Sequence, residues 1–159
     1  MAYPDFEEFI AECNAHGVRY LIVGAHALAY HARPRATKDL DLLIDATPAN
    51  AKRVLKAMNA FFGGADLGYR VEDLTDPAWH LQLGVAPVRI DLLTSLLGCP
   101  RFMTLWRRRI AGKFGEQPVS YLSLEDLIRA KKAAGRPQDL ADLDMLEKRR
   151  RRGPRSRPD

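Results

Sequence analysis

The chain has 159 residues, 47% of them hydrophobic, and a formal net charge of +5, which suits one domain with one core. Its two cysteines, Cys13 and Cys99, are too few and too far apart for a disulfide framework or a zinc site, and read as reduced, buried thiols. No segment is long or apolar enough to span a membrane, and the first residues lack the basic and apolar regions of a signal peptide, so a cytoplasmic protein with no membrane contact is expected.

In chain order, residues 5–16 predict a helix with Phe6, Phe9, Ile10 and Cys13 on one face, ending at Gly17. Residues 18–23 form a short apolar run suited to a buried strand. Gly24 follows, and residues 25–31 predict a second helix. Strand, glycine, helix lets backbone N–H groups and the positive helix end approach a phosphate; a plain turn or packing glycine explains the same pattern. A loop with Arg33, Arg35, Thr37 and Lys38 then leads to the most informative run of the chain.

That run is Asp39-Leu40-Asp41-Leu42-Leu43-Ile44. Strand side chains alternate, so Leu40, Leu42 and Ile44 point to a core while Asp39 and Asp41 share the other face. Two acids on one strand face repel each other, a cost that a hard cation such as Mg²⁺ between them removes. Further on, Pro48 opens a helix to residue 62 with Val54, Leu55, Met58 and Phe61 or Phe62 inward, and Gly63-Gly64 stops it. Residues 69–74 and 79–83 are weaker strand candidates. Residues 88–93 are a stronger one, with Val88, Ile90 and Leu92 on one face and Asp91 on the other. Beside the Asp39 strand, Asp91 completes a three-carboxylate site that needs a counter-cation and supplies a general base; alone, it reads as an acid on a solvated strand face. Residues 102–110 look helical and 119–122 extended. Ser123 with Asp126 resembles a capping box for a helix to residue 134, which Gly135 closes. Pro137 starts the last helix, with Leu140, Leu143 and Leu146 or Met145 inward. Trp79, His80 and Trp106 read as packing or surface residues, and His26 and His31, five apart, lack the one-face metal spacing of four. An α/β mixture results, a small mixed sheet carrying helices and presenting acids at its open face.

Residues 148–159 hold seven Lys/Arg and one acid, whereas the preceding 147 residues hold 18 bases and 19 acids. The expected organisation is therefore a domain over 1–147 and a basic tail over 148–159, disordered past Gly153. The tail suits contact with polyanions such as RNA or DNA, or an acidic protein; a solubilising end is the plainer reading, since no aromatics interleave the charges.

Gly24-Ala25, Asp39-Leu40-Asp41 and Asp91 together resemble the signature of the nucleotidyltransferase superfamily typified by DNA polymerase β. The segments 21–31, 33–41, 89–95, 123–131 and 135–142 are similar, in order, to small bacterial proteins related to AbiEii-type toxins and minimal nucleotidyltransferases. The resemblance covers about residues 18–147 and implies a polymerase β palm-like fold. It implies an enzyme that transfers NMP from a nucleoside triphosphate, with Mg²⁺ or Mn²⁺, to a hydroxyl of RNA or protein, within a toxin–antitoxin pair. It implies Asp39, Asp41 and Asp91 as catalytic metal ligands, and Gly24, Ala25, Arg35, Thr37 and Lys131 around the nucleotide. Arg136, Asp139 and Asp142 follow in a matching pattern as supporting residues. Asp139 and Asp142, three apart on a helix, suit orienting Lys131 or Arg136, or serve as N-terminal acids facing the helix dipole. One departure is Ala25, where the pattern has Gly or Ser. It offers an N–H but no hydroxyl, and a degenerate site serving as nucleotide sensor or binding partner is the alternative.

Overall fold

A computed structural model describes residues 4–34, 37–84 and 88–153. Seven helices and six strands alternate through these residues, and the strands form one mixed sheet in the order β3-β4-β2-β1-β6-β5. The central strand β1 (Tyr20–Val23) has all four residues buried, as expected where both faces of a sheet are covered. It runs antiparallel to β2 (Asp39–Ile44) and parallel to β6 (Gln117–Tyr121). On the far side of β2 lies β4 (Arg89–Leu93), parallel to it, and β3 (His80–Leu83) closes that edge as an antiparallel neighbour of β4. The other edge is β5 (Ile110–Phe114), hairpinned to β6.

Helix α1 (Pro4–Ala15) buries the predicted stripe of Phe6, Phe9, Ile10 and Cys13 and packs on α3 (Pro48–Phe61), which buries Val54 and Met58. Thr47 starts α3 by accepting a hydrogen bond from the Asn50 N–H at 3.3 Å, and Pro48 fills its first turn. Phe61 packs partly buried on the core, while Phe62 is exposed. Helix α2 (Gly24–His31) lies on β1 and β2 and touches both α6 (Leu124–Ala134) and α7 (Pro137–Arg151). Ser123 caps α6 at the Asp126 N–H, 3.1 Å away, and Gly135 ends it at φ +62°.

The carboxylate of Asp126 is fully buried. It accepts from Arg108 Nε at 3.1 Å and Nη2 at 2.8 Å, from Arg129 Nη1 at 2.8 Å, and from Ser123 Oγ at 2.9 Å. Its burial is thereby compensated by charge-assisted bonds at every lone pair.

Four expectations need correction. Residues 69–74 do not form a strand: α4 (Val71–Thr75) occupies them, because Asp73 accepts from the Arg70 N–H at 2.9 Å and closes a helical turn. The helix expected over 102–110 stops early, α5 spanning Phe102–Arg107, and Ile110 opens β5, an exposed edge strand without apolar alternation. Leu140 points out, 59% exposed; α7 rests instead on buried Leu146 and partly buried Leu143. Cys99 is only half-buried, while Cys13 is buried, and both are free thiols. At the basic end, α7 continues to Arg151, carrying the first four residues assigned to the tail into a helix; its cations sit where the negative helix end favours them. No helix among the described residues is long and apolar enough to cross a membrane.

Candidate functional site

The site is built by strand register. Parallel pairing sets Asp41 directly beside Asp91, and Asp39 beside Arg89, so three carboxylates and one guanidinium share one face at neighbouring positions. Antiparallel pairing with β1 places Val23 against Asp41, which brings the next residue, Gly24, to the same carboxylate. Gly24 has φ +66°, and a Cβ there would overlap Asp41 Oδ2 and stand 3.0 Å from its Cγ. Only glycine meets both conditions. Helix α2 thus begins against the acids, and no side chain caps its first turn.

Asp91 is 4% exposed, which contradicts the reading of a solvated strand acid. Asp39 and Asp41 are half-buried. Burial, then Asp91 and Asp39, push the Asp41 carboxyl up to about 7 against the opposing pull of Arg89. Arg89 Nη2 lies 3.2 Å from Asp39 Oδ2 and 3.2 Å from Asp91 Oδ2. Asp91, first, and then Asp39 and Asp41 hold its guanidinium more firmly protonated than usual. Two buried polar atoms here have no hydrogen-bond partner, Arg89 Nε and Asp91 Oδ1. His80 Nε2 stands 3.8 Å from that oxygen, beyond hydrogen-bond length.

As arranged, no group of three or more His, Cys, Asp or Glu side chains among the described residues is set to hold a metal ion; the cation lodged between the carboxylates is Arg89. The donor set nonetheless fits a hard divalent ion. It offers only carboxylate oxygens, one of them orphaned, and one carboxyl that burial, and then its acidic neighbours, keep from ionising normally.

The second wall comes from α6 and α7. Lys131 Nζ lies 3.1 Å from Asp139 Oδ1 and 3.0 Å from Asp142 Oδ2. Asp139, fully buried, also accepts from Arg136 through Nε at 2.7 Å and backbone N–H at 3.1 Å. Arg136, first, with Lys131 and the Arg136 backbone, holds its carboxyl down to about 2 despite burial. Arg136 in turn stays protonated more firmly than usual, chiefly through Asp139 and in small part through Asp142 and Asp41, which puts α7 within electrostatic reach of the acids. A cleft of about 120 Å³ is lined by Gly24, Lys131, Arg136 and Asp139 together with apolar Val23, Leu96, Leu122 and Leu127. The fold therefore gathers residues about 110 apart in sequence into one cleft.

Ala25 is half-buried in the first turn of α2. Thr37 precedes β2 and its Oγ1 accepts from the Asp39 N–H at 3.3 Å, tying the loop to the first acid. Arg35 lies outside the described residues. Sequence reasoning missed two participants. Arg89 precedes Asp91 by two, the strand period, and that spacing alone marks it as a same-face neighbour. His80 faces the site from β3; as an exposed residue of a weak strand it carried no comparable signal. His26 is packed edge-on between Phe6 and Phe114. Burial pushes it down to about 4, against the pull of Asp39, so it stays neutral.

No protein-family model matches the chain, and no curated protein is significantly similar to it.

Proposed function

We propose that the protein is a nucleotidyltransferase of polymerase β palm-like fold, moving NMP from a metal-bound nucleoside triphosphate to a hydroxyl of RNA or protein, as one member of a toxin–antitoxin pair. One observation carries the reading: Asp41 and Asp91 stand side by side across parallel strands with Gly24 pressed against Asp41. Asp39, Asp41 and Asp91 are the residues that would hold Mg²⁺ or Mn²⁺, which when bound polarises phosphoryl oxygens and offsets their charge.

The remaining roles belong to the chain itself. The first N–H groups of α2 cradle phosphate oxygens, and Ala25 supplies one of them through its backbone. Lys131, aimed by Asp139 and Asp142, lines the cleft from the other side. Asp91 Oδ1, free of other hydrogen bonds among the described residues, takes the proton of the acceptor hydroxyl. The acceptor oxygen bonds to the α-phosphorus as the bond to the β-phosphate bridging oxygen breaks and pyrophosphate leaves. His80, 3.8 Å from Oδ1, gives the proton an onward route to solvent. Positioning and charge stabilisation supply most of the acceleration.

The test is transfer from α-³²P-labelled ATP, GTP, CTP and UTP, with Mg²⁺, into total RNA and lysate protein. The Asp39→Asn/Asp41→Asn double variant is the control. Label that the control loses supports transfer and names the acceptor class. A second reading, a nucleotide sensor or binding partner, draws on Ala25 and on the Arg89 guanidinium seated between Asp39 and Asp91. It expects nucleotide to raise the thermal midpoint with no label transferred to any acceptor.

A further inference from the structure

We infer that Arg89 is the resident counter-cation of the acidic site, and that a divalent cation displaces it only together with a polyphosphate that takes up the released guanidinium. The inference rests on the nucleotidyl-transfer reading and adds to it an order of binding: free metal is disfavoured, and metal with phosphate enters as a unit.

The geometry of Arg89 is that of a provisional occupant. A guanidinium normally offers its planar fork in pairs of parallel bonds to a carboxylate. Here one nitrogen, Nη2, serves both Asp39 and Asp91 at 3.2 Å each, while Nε is buried and bonds to nothing among the described residues. Asp91 Oδ1 is likewise buried and unpaired. Opposite charges meet, but donors and acceptors are not matched.

The same chain shows a finished arrangement. Asp126 receives two nitrogens from Arg108, one from Arg129 and the Ser123 hydroxyl, all within 3.1 Å. Lys131 is similarly settled between Asp139 and Asp142. Both clusters are complete without a ligand; the Arg89 cluster is not.

Two further facts set the exchange. Three carboxylates share one face with a single guanidinium, so one positive charge leaves them under-compensated and a divalent ion improves on it. Once such an ion sits among them, it repels the neighbouring guanidinium with twice the force of a monovalent ion at that distance. Bare metal therefore strands Arg89 without an anion. A polyphosphate supplies one, in the planar geometry that arginine suits best. Metal and polyphosphate then favour each other's binding through a shared side chain, which is a coupling free energy in the strict sense.

The experiment is the thermal midpoint of the full chain with Mg²⁺ alone, inorganic tripolyphosphate alone, both together, and ATP with Mg²⁺. It compares wild type with Arg89→Gln, Arg89→Lys and, as a control for lost charge, Arg53→Gln, at an exposed position of α3. In wild type the combined shift exceeds the sum of the separate shifts. In Arg89→Gln, half-saturation by Mg²⁺ alone falls about tenfold, and the excess disappears. Arg89→Lys keeps the charge but not the bridge and lies between them; Arg53→Gln behaves as wild type. If Arg89→Gln does not fold without metal, recovery of its circular dichroism on adding Mg²⁺ alone supports the exchange, and failure to recover counts against it. If Arg89→Gln matches wild type in every arm, or Arg53→Gln reproduces the Arg89→Gln pattern, the inference falls while the nucleotidyl-transfer reading stands. If wild type responds to no combination of metal and polyphosphate, both fall together.

Discussion

Asp41→Asn should make the protein more stable at pH 8 while removing nucleotide transfer. The folded-state pKa of Asp41 is about 7, against an ordinary 3.8. Between these values the folded state binds a proton that the unfolded chain does not, so stability falls as pH rises from about 4 to about 7. The gap of roughly 3 units, at about 1.4 kcal/mol each, puts the loss at roughly 4 kcal/mol once Asp41 is ionised. Asparagine keeps the shape and carries no charge at either end of this window. Allowing for one weakened contact with Arg89, the gain at pH 8 should be about 2–4 kcal/mol. For a chain of this size that is about 5–15 °C in thermal midpoint. Urea unfolding followed by circular dichroism, in chelator, at pH 4 and pH 8 gives the answer. At pH 4 the two proteins should agree within about 1 kcal/mol, since Asp41 is then largely neutral in the folded state. Equal losses of stability in both proteins between pH 4 and 8 would refute the idea that burial and the neighbouring acids hold a proton on Asp41.

Other outcomes follow from the same geometry. Gly24→Ala meets both a positive φ and the Asp41 carboxylate, and should cost about 1–3 kcal/mol and abolish the nucleotide-induced rise in thermal midpoint; retention of the full rise would show that α2 does not approach the ligand. Asp139→Ala strips one of two partners from Lys131, whose side chain is 13% exposed, and should destabilise by about 3–5 kcal/mol in urea titration. In wild type the contribution of Asp139 is fully present above about pH 4 and is lost as pH falls towards about 2, so Asp139→Asn should flatten the acid limb of the stability profile. Thr47→Ala, which removes the cap of α3, should cost about 1 kcal/mol and leave nucleotide binding untouched.

The sequence made the inner elements readable where one signal dominated. Alternation along residues 39–44 and the stripe from Phe6 to Cys13 both mark faces that end up buried, and Ser123, Gly135 and Pro137 mark helix ends by their own chemistry. Elements failed where local preference was weak and tertiary context decided. An edge strand such as β5 needs no apolar face, and α4 is one turn held by a side-chain cap. For the site, residue types were legible but neighbourhood was not. Nothing in a linear chain says that residue 41 stands beside residue 91 and not one step away, because register belongs to the sheet. The pairing of Asp139 and Asp142 with Lys131 or Arg136 was legible from their spacing on one helix face and is met, whereas Arg89 stayed hidden, since its meaning depends on the strand beside it.

Helix α6 is clamped at both ends. Its first turn is held by Arg108, from outside the helix, on the Asp126 carboxylate, which Arg129 of the same helix also bonds, and its last turn is tied to α7 through Lys131. Five residues, about 7.5 Å of axis, separate the two clamps. A rod held in this way neither slides nor rolls, so this wall of the cleft behaves as a fixed jaw. Adjustment to ligands of different size then falls to the side chains projecting from the wall opposite, and to the exposed guanidinium of Arg136 at the rim.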